Sequence, residues 1–292
     1  MPDFKNSPML VTGAAGHLGG LIVKELLARG ATNVTAAARD PLKINAPGAK
    51  TARADFDDAA SLDAVFKGIE RLMIVSTDAM EPGKRLAQHL RAVEAAQRAG
   101  VRHIFYTSLS APEPGSPIPF APDHHMTEEA IKRTGANYTI LRHNWYFENT
   151  LLGMPQAIAS GAYYTSAGQG GLAQAARADF AAADAGAMIT EDGKATYELG
   201  GPEAITMDLQ IALFNKVLGS KVNVVHLDDA GLEGGLRAAG VPEFFVGLLV
   251  GADASIRQGR MGKVNGEMER LSGRKPQRFE DWLTANKAMF AK

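Results

Sequence analysis

Glycines at 13, 16 and 19 stand between an apolar run, Pro8-Met-Leu-Val-Thr12, and a helical pattern that opens at Leu18. Three glycines at that spacing do three jobs: Gly13 turns the chain off a strand, Gly16 admits a phosphate close to the backbone, and Gly19 lets the helix pack against the sheet. The first amides of such a helix have no partners within it, and its dipole makes that end partly positive. Together with Ala15, His17 and Leu18, these glycines predict a cradle for a dinucleotide pyrophosphate.

A second pair of cations stands where the next strand should end. Asn33 to Ala38 reads as that strand, and Arg39 follows it about twenty residues after the last glycine, with Lys43 just beyond. An acidic residue there would hydrogen-bond the ribose hydroxyls of NAD, whereas a guanidinium accepts the extra phosphate of NADP. Arg39 and Lys43 therefore predict a preference for NADP(H), with NAD(H) still possible because Asp40 follows the arginine directly.

Positioning these groups requires alternating strands and helices. Strand-like runs occur at Lys50 to Asp55, Leu72 to Ser76, Val101 to Ser108 and Tyr138 to Arg142. Helical patterns lie between them, at Leu18 to Ala28, Ala59 to Lys67, Lys84 to Ala99 and about Asp123 to Thr134. This is the rhythm of a doubly wound, Rossmann-like α/β fold with a parallel sheet. Ligands of such sheets bind beyond the carboxyl ends of the strands. Asp55 and Phe56 are thus expected at the adenine, and Ser76, Thr77, Thr107 and Ser108 elsewhere along the coenzyme.

From about residue 150 the rhythm fails. Short strands are expected at Gly161 to Thr165, Thr196 to Leu199 and Val222 to Leu227, helices at Asp179 to Ile189 and from the Thr206 cap to Leu218, and mostly helical sequence thereafter. The expected division is a coenzyme unit of residues 1–150 and about 173–200. A smaller, discontinuous, mostly α-helical substrate unit would take about 151–172 and 201–292.

The 292 residues, 46% hydrophobic, suffice for a large core, and a net charge of −1 gives no field to attract nucleic acid. With no cysteine, disulfides, thiol catalysis and thiolate metal sites are excluded. His124 and His125 are adjacent rather than at a helical ligand spacing, so no metal is expected. No apolar run approaches a membrane span and no signal peptide is evident, so a cytoplasmic protein is expected, as monomer or homodimer.

The blocks V-T-G-A-A-G-H-L-G-G, R-D-P, T-A-R-A-D-F-D-D, A-G-V-R-H-I-F-Y-T-S, Y-T-I-L-R-H-N-W-Y-F-E-N and L-S-G-R-K-P-Q-R-F-E-D-W-L occur in that order over nearly the whole chain. In this the sequence resembles the NmrA-like branch of the atypical short-chain dehydrogenases/reductases, with that branch's type-2 quinone oxidoreductases and triphenylmethane-dye reductases nearest in appearance. The resemblance implies a Rossmann domain, a small C-terminal domain, NADP(H), and a cleft for a planar aromatic acceptor.

The chain departs from ordinary short-chain dehydrogenases in one respect that bears on chemistry. Their Tyr-x-x-x-Lys pair exchanges a proton with an alcohol or carbonyl, but no tyrosine lies between Ser108 and Lys132. Phe120-Ala-Pro-Asp-His124 occupies that register. An electron-poor quinone, or a carbocationic dye, takes hydride directly and leaves a weakly basic product, so this loss favours such acceptors. His124 is then the expected proton donor or polar orienter. Asn144, Trp145, Tyr146 and Phe147 should wall a flat substrate, with Phe245 of the apolar run Phe244 to Val250 facing them. Two other readings stay open: a non-catalytic dinucleotide-binding redox sensor with a regulatory protein partner, and a nucleotide-sugar epimerase, which the missing tyrosine disfavours.

Overall fold

The first strand, Met9–Val11 (β1), is buried at every position, and the glycine turn delivers the chain from it to a helix at His17–Ala28 (α1). In this computed structural model, which describes residues 3–290, alternation continues through Val34–Ala38 (β2), Lys50–Arg53 (β3), Ala59–Phe66 (α2), Arg71–Ile74 (β4), Lys84–Arg98 (α3), His103–Leu109 (β5), Ala121–Arg133 (α4) and Asn137–His143 (β6). These elements match the expected ones to within a few residues at each end.

After β6 come a 3₁₀ turn at Phe147–Leu152 and a short helix, Met154–Ser160 (α5), neither of which was expected. The remaining elements are Ala162–Thr165 (β7), Arg177–Thr190 (α6), Lys194–Leu199 (β8), Met207–Leu218 (α7), Asn223–His226 (β9), Asp229–Ala238 (α8), Glu243–Arg257 (α9), Glu267–Ser272 (α10) and Phe279–Ala285 (α11). Thr206 caps α7 by accepting the Leu209 amide, the arrangement a threonine just before a helical run foretells.

Seven strands form one sheet in the order β3-β2-β1-β4-β5-β6-β8, and every neighbouring pair is parallel. A parallel sheet must be covered on both faces. Ile22, Val23 and Leu26 of α1, Phe180 and Met188 of α6, and Leu271 of α10 cover one. Leu62 and Phe66 of α2, Ala92 and Val93 of α3, and Ile131 of α4 cover the other. This is the doubly wound, Rossmann-like architecture, and the strand order reverses between β1 and β4, where a crevice opens above the carboxyl ends.

A two-stranded parallel sheet, β7 with β9, stands apart from the main one. Phe147, Phe214, Phe279, Trp282 and Phe290 pack around it with the helices α7 and α11. A further cluster, with Ile118, Ala121, Leu172, Met207, Ile256 and Met261, joins the loop before α4 to α9 and to the glycine-rich segment after β7.

Candidate active site

The turn after β1 has the form that its glycines predict. Gly13 takes φ +64, a conformation that disfavours side chains, and a Cβ on Gly19 would lie 2.4 Å from the Gly13 carbonyl oxygen, so only glycine allows α1 to approach the turn. No side chain caps α1 and no acidic residue enters its first turn. The first bond into the helix is Gly20 N–H to Gly16 C=O at 3.1 Å, which leaves the amides of His17, Leu18 and Gly19 without protein acceptors among the described residues. Gly13, Ala15, Gly16 and His17 are exposed.

Ala15, Gly16 and His17 border a cavity of about 300 Å³ that also touches Lys24, Lys43, Asn45, Glu148 and Arg177. Orphan amides, a helix N-terminus and three cations fit a pyrophosphate; a single acid, Glu148, is occupied by the Arg177 amide at 3.1 Å. Lys24 and Arg177 were not foreseen: Lys24 follows the glycine motif within α1, where nothing marks one helical lysine, and Arg177 opens α6, far along the chain. Arg39 follows β2 and is exposed, with no ion pair or hydrogen bond of its side chain among the described residues. Lys84 stands nearby but is paired with Glu81 at 2.9 Å, so among the described residues Arg39 is the cation of this corner left free for an anion. Lys43 is paired only loosely, 3.9 Å from Asp40.

Asp55 and Phe56 are held by protein contacts. The Asp55 carboxylate accepts Arg53 Nη2 and the Asp57 amide, each at 3.0 Å, as a turn former, and the Phe56 ring packs into the core beneath α2 and α3. Thr107 Oγ1 accepts the Ser76 amide at 2.9 Å, tying β5 to the end of β4. Ser108 Oγ donates to the buried Glu128 at 2.6 Å and so faces α4.

Thr77 opens a different part of the crevice. Its amide donates to His89 Nε2 at 3.0 Å. His89 Nδ1 lies 3.1 Å from Thr127 Oγ1 and 3.2 Å from the Tyr106 hydroxyl, and that hydroxyl lies 2.8 Å from His124 Nδ1. Burial, reinforced by the Arg85 charge, holds His89 down to about 3. Burial and then the neighbouring His89, Arg85 and His143 keep His124 far below the ordinary imidazole range. Both rings are neutral at physiological pH. His124 Nε2 has no hydrogen-bond partner among the described residues yet is not sealed from solvent.

Aromatic rings lie beside His124. Phe120 lies 5.8 Å from the His124 ring, stacks on Phe244 of α9 at 6.1 Å and carries the Arg85 guanidinium over its face at 4.7 Å. Phe245 meets Phe244 edge-on at 5.5 Å, so Phe244 is the ring in contact with the His124 neighbourhood. Phe120 and Phe244 were legible only as apolar residues flanking candidates.

The block after β6 turns mostly inward. Asn144 Nδ2 donates to the Met261 carbonyl at 2.9 Å and its Oδ1 accepts the Trp145 amide at 2.7 Å, although the residue also borders a second hollow of about 240 Å³ with Ser110, Glu198 and Lys263. Trp145 packs beside Ile118 and Leu172. Tyr146 bonds His143 at 3.0 Å and packs edge-on to Phe180. Phe147 is 1% exposed, in the core with Phe279 and Trp282; it is not a wall of any cleft, because the 3₁₀ turn that begins there rotates it beneath the second sheet.

Glycine cradle, switch-point crevice and parallel sheet together define a dinucleotide-binding protein. Residues 13–186 match the family described as NAD(P)H-binding. The chain is 34% identical to quinone oxidoreductase 2 of Escherichia coli over 269 residues, covering 90% of this chain and 93% of that protein. Its fold superposes on the crystal structure of an NADPH-dependent quinone oxidoreductase from E. coli in complex with NADPH, with TM-score 0.88, 32% identity and coverage of 95% and 99%. It also superposes on the triphenylmethane reductase of Citrobacter sp. complexed with NADP(H), at TM-score 0.83, 29% identity and coverage of 95% and 99%. The chain belongs to the NAD(P)H-binding family, in its branch of NAD(P)H-dependent oxidoreductases. No helix among the described residues is long and apolar enough to cross a membrane.

Proposed function

We propose that this chain is an NADPH-dependent reductase of quinones or similarly planar, electron-poor acceptors. When bound, NADPH supplies a hydride from its nicotinamide ring. Gly13 to Gly19 hold the pyrophosphate, and Arg39, aided by Lys43 and the unforeseen Lys84, receives the 2′-phosphate. In the proposed division, residues 1–150 and about 173–200 form the coenzyme unit, and the remainder forms the acceptor unit, which contributes Phe244.

The observation that carries this reading is the His124 edge. A neutral imidazole framed by Phe120 and Phe244 offers a flat apolar surface and one polar group, with no ionisable tyrosine–lysine pair in that register. Such a surface can orient a quinone, which is much of what direct hydride transfer requires. It is poorly equipped for alcohol oxidation, the opening step of an epimerase.

The test is coenzyme consumption by the purified protein. NADPH absorbance is expected to fall when benzoquinone or a triphenylmethane dye is added. Tight NADPH binding without turnover across a broad acceptor panel would instead support a redox sensor that acts through a protein partner.

A further inference from the structure

The hydrogen bonds around His124 fix where its proton sits. A backbone amide can only donate, so His89 Nε2 must accept from Thr77 N–H at 3.0 Å. The neutral His89 ring therefore carries its proton on Nδ1. That N–H points to Thr127 Oγ1 at 3.1 Å and to the Tyr106 oxygen at 3.2 Å, and Thr127 Oγ1 spends its own proton on the Asp123 carbonyl at 2.6 Å.

The Tyr106 hydroxyl then has Thr127 Oγ1 and His124 Nδ1 beside it, and because Thr127 Oγ1 already takes the His89 N–H, the well-formed bond open to the Tyr106 proton is the one to His124. Its side chain is 0% exposed, so a hydroxyl proton without a partner would cost the full desolvation of a buried donor. His124 Nδ1, at 2.8 Å, must accept it. With Nδ1 accepting, the His124 proton is on Nε2, the one edge with solvent access.

We propose that His89 and Tyr106 are positioning residues that lock His124 as the Nε2–H tautomer, making His124 a neutral hydrogen-bond donor to the acceptor oxygen and not the source of its proton. The role assigned to His124 rests on the quinone-reductase reading. As hydride and its electron pair enter the quinone, negative charge gathers on the quinone oxygen, where a fixed N–H stabilises it. His124 retains that proton, because losing it would leave a buried imidazolate, a far stronger base than the hydroquinone anion. The one proton that completes the hydroquinone comes from water.

A neutral donor also predicts a particular pH response. Groups facing His124 are His89 and Arg85 from α3, Tyr106 from β5 and His143 from β6, and Asp123 and Glu128 of α4 face Tyr106 behind it. With His124 neutral throughout, kcat should show no limb from its ionisation between about pH 5 and 9, whereas an imidazolium acid would give one near the ordinary value of about 6.5.

The decisive experiment is ¹⁵N NMR of the intact protein with labelled histidine. His124, assigned by its loss in His124→Gln, is expected with Nε2 protonated and Nδ1 in the range of an acceptor. A protonated Nδ1 overturns the proposal. Tyr106→Phe should give mixed tautomers at His124 and lower kcat about tenfold, with KM for NADPH unchanged; an unmixed tautomer with unaltered kcat also overturns it. Wild-type protein that shows the Nε2–H tautomer but reduces no quinone would refute the acceptor reading and leave the tautomer lock intact.

Discussion

Arg39 concentrates the coenzyme question in one side chain. It is exposed and unpaired among the described residues, so an added phosphate would form a new contact without displacing an internal one. Arg39→Asp is expected to weaken NADPH binding by about 1–3 kcal/mol, the scale of a charge-assisted hydrogen bond, while NADH binding changes little. Calorimetry reads this directly as a roughly 5- to 150-fold rise in Kd for NADPH. Equal NADPH affinity in the two proteins would take Arg39 out of the site. The place of Arg39 just past β2 was legible because it follows from one strand and one spacing. His89 and Tyr106 were not, because their importance comes from meeting across α3, β5 and α4, and single residues inside regular elements carry no mark of such a meeting.

Among the elements, α4 bears the polar edge of the crevice and is clamped to the sheet by charge. Glu128, 0% exposed, accepts Ser108 Oγ at 2.6 Å and Arg142 Nε and Nη2 at 2.9 and 2.7 Å. Arg142 also bonds Glu198 of β8 at 2.8 Å and Glu113 in the loop before α4. Glu128→Ala would orphan the serine hydroxyl and half of the guanidinium. Breaking a buried pair from one side is expected to cost about 3 kcal/mol, partly moderated here by Glu198 and Glu113. Glu128→Gln, which keeps an acceptor, should cost less. Thermal melts should order the proteins wild type, Gln, Ala; equal melting temperatures would show that the clamp contributes nothing. Helix α4 and strands β1 to β6 were readable because apolar runs alternating with helical patterns can satisfy their backbones in few ways. Helix α5 was not: seven residues with Pro155 in the first turn are too short for a helical period to emerge. The aromatic block at 144–149 misled for a related reason, since its composition suits a pocket wall and a core equally. The 3₁₀ geometry that sends Phe147 inward is set by contacts with Phe279 and Trp282, more than a hundred residues away.

For the molecule as a whole, burial of neutral histidines couples folding to pH. His103 at the start of β5 is 1% exposed, stacks on Phe105 at 4.1 Å and bonds Thr139 through Nε2 at 2.8 Å. Burial, with the Arg71 charge adding to it, holds the ring down to about 3, against about 6.5 in the unfolded chain. Between those values the unfolded state binds a proton that the folded state refuses. The stabilisation is therefore fully present above about pH 6.5 and is lost progressively as pH falls toward 3, at up to about 1.4 kcal/mol per pH unit for one such residue. His89 acts with the same sign, whereas the buried carboxyls Asp179, Asp184 and Asp253, raised by desolvation, act with the opposite one. A bare stability profile mixes these contributions, and a difference isolates one. His103→Leu keeps the apolar volume of a site remote from the glycine cradle and removes a single titrating ring. Denaturant unfolding of both proteins between pH 6 and 4 should show the variant losing stability more slowly on acidification, by about one proton's worth of slope. Parallel curves would mean that His103 takes up its proton as readily in the folded protein as in the unfolded chain.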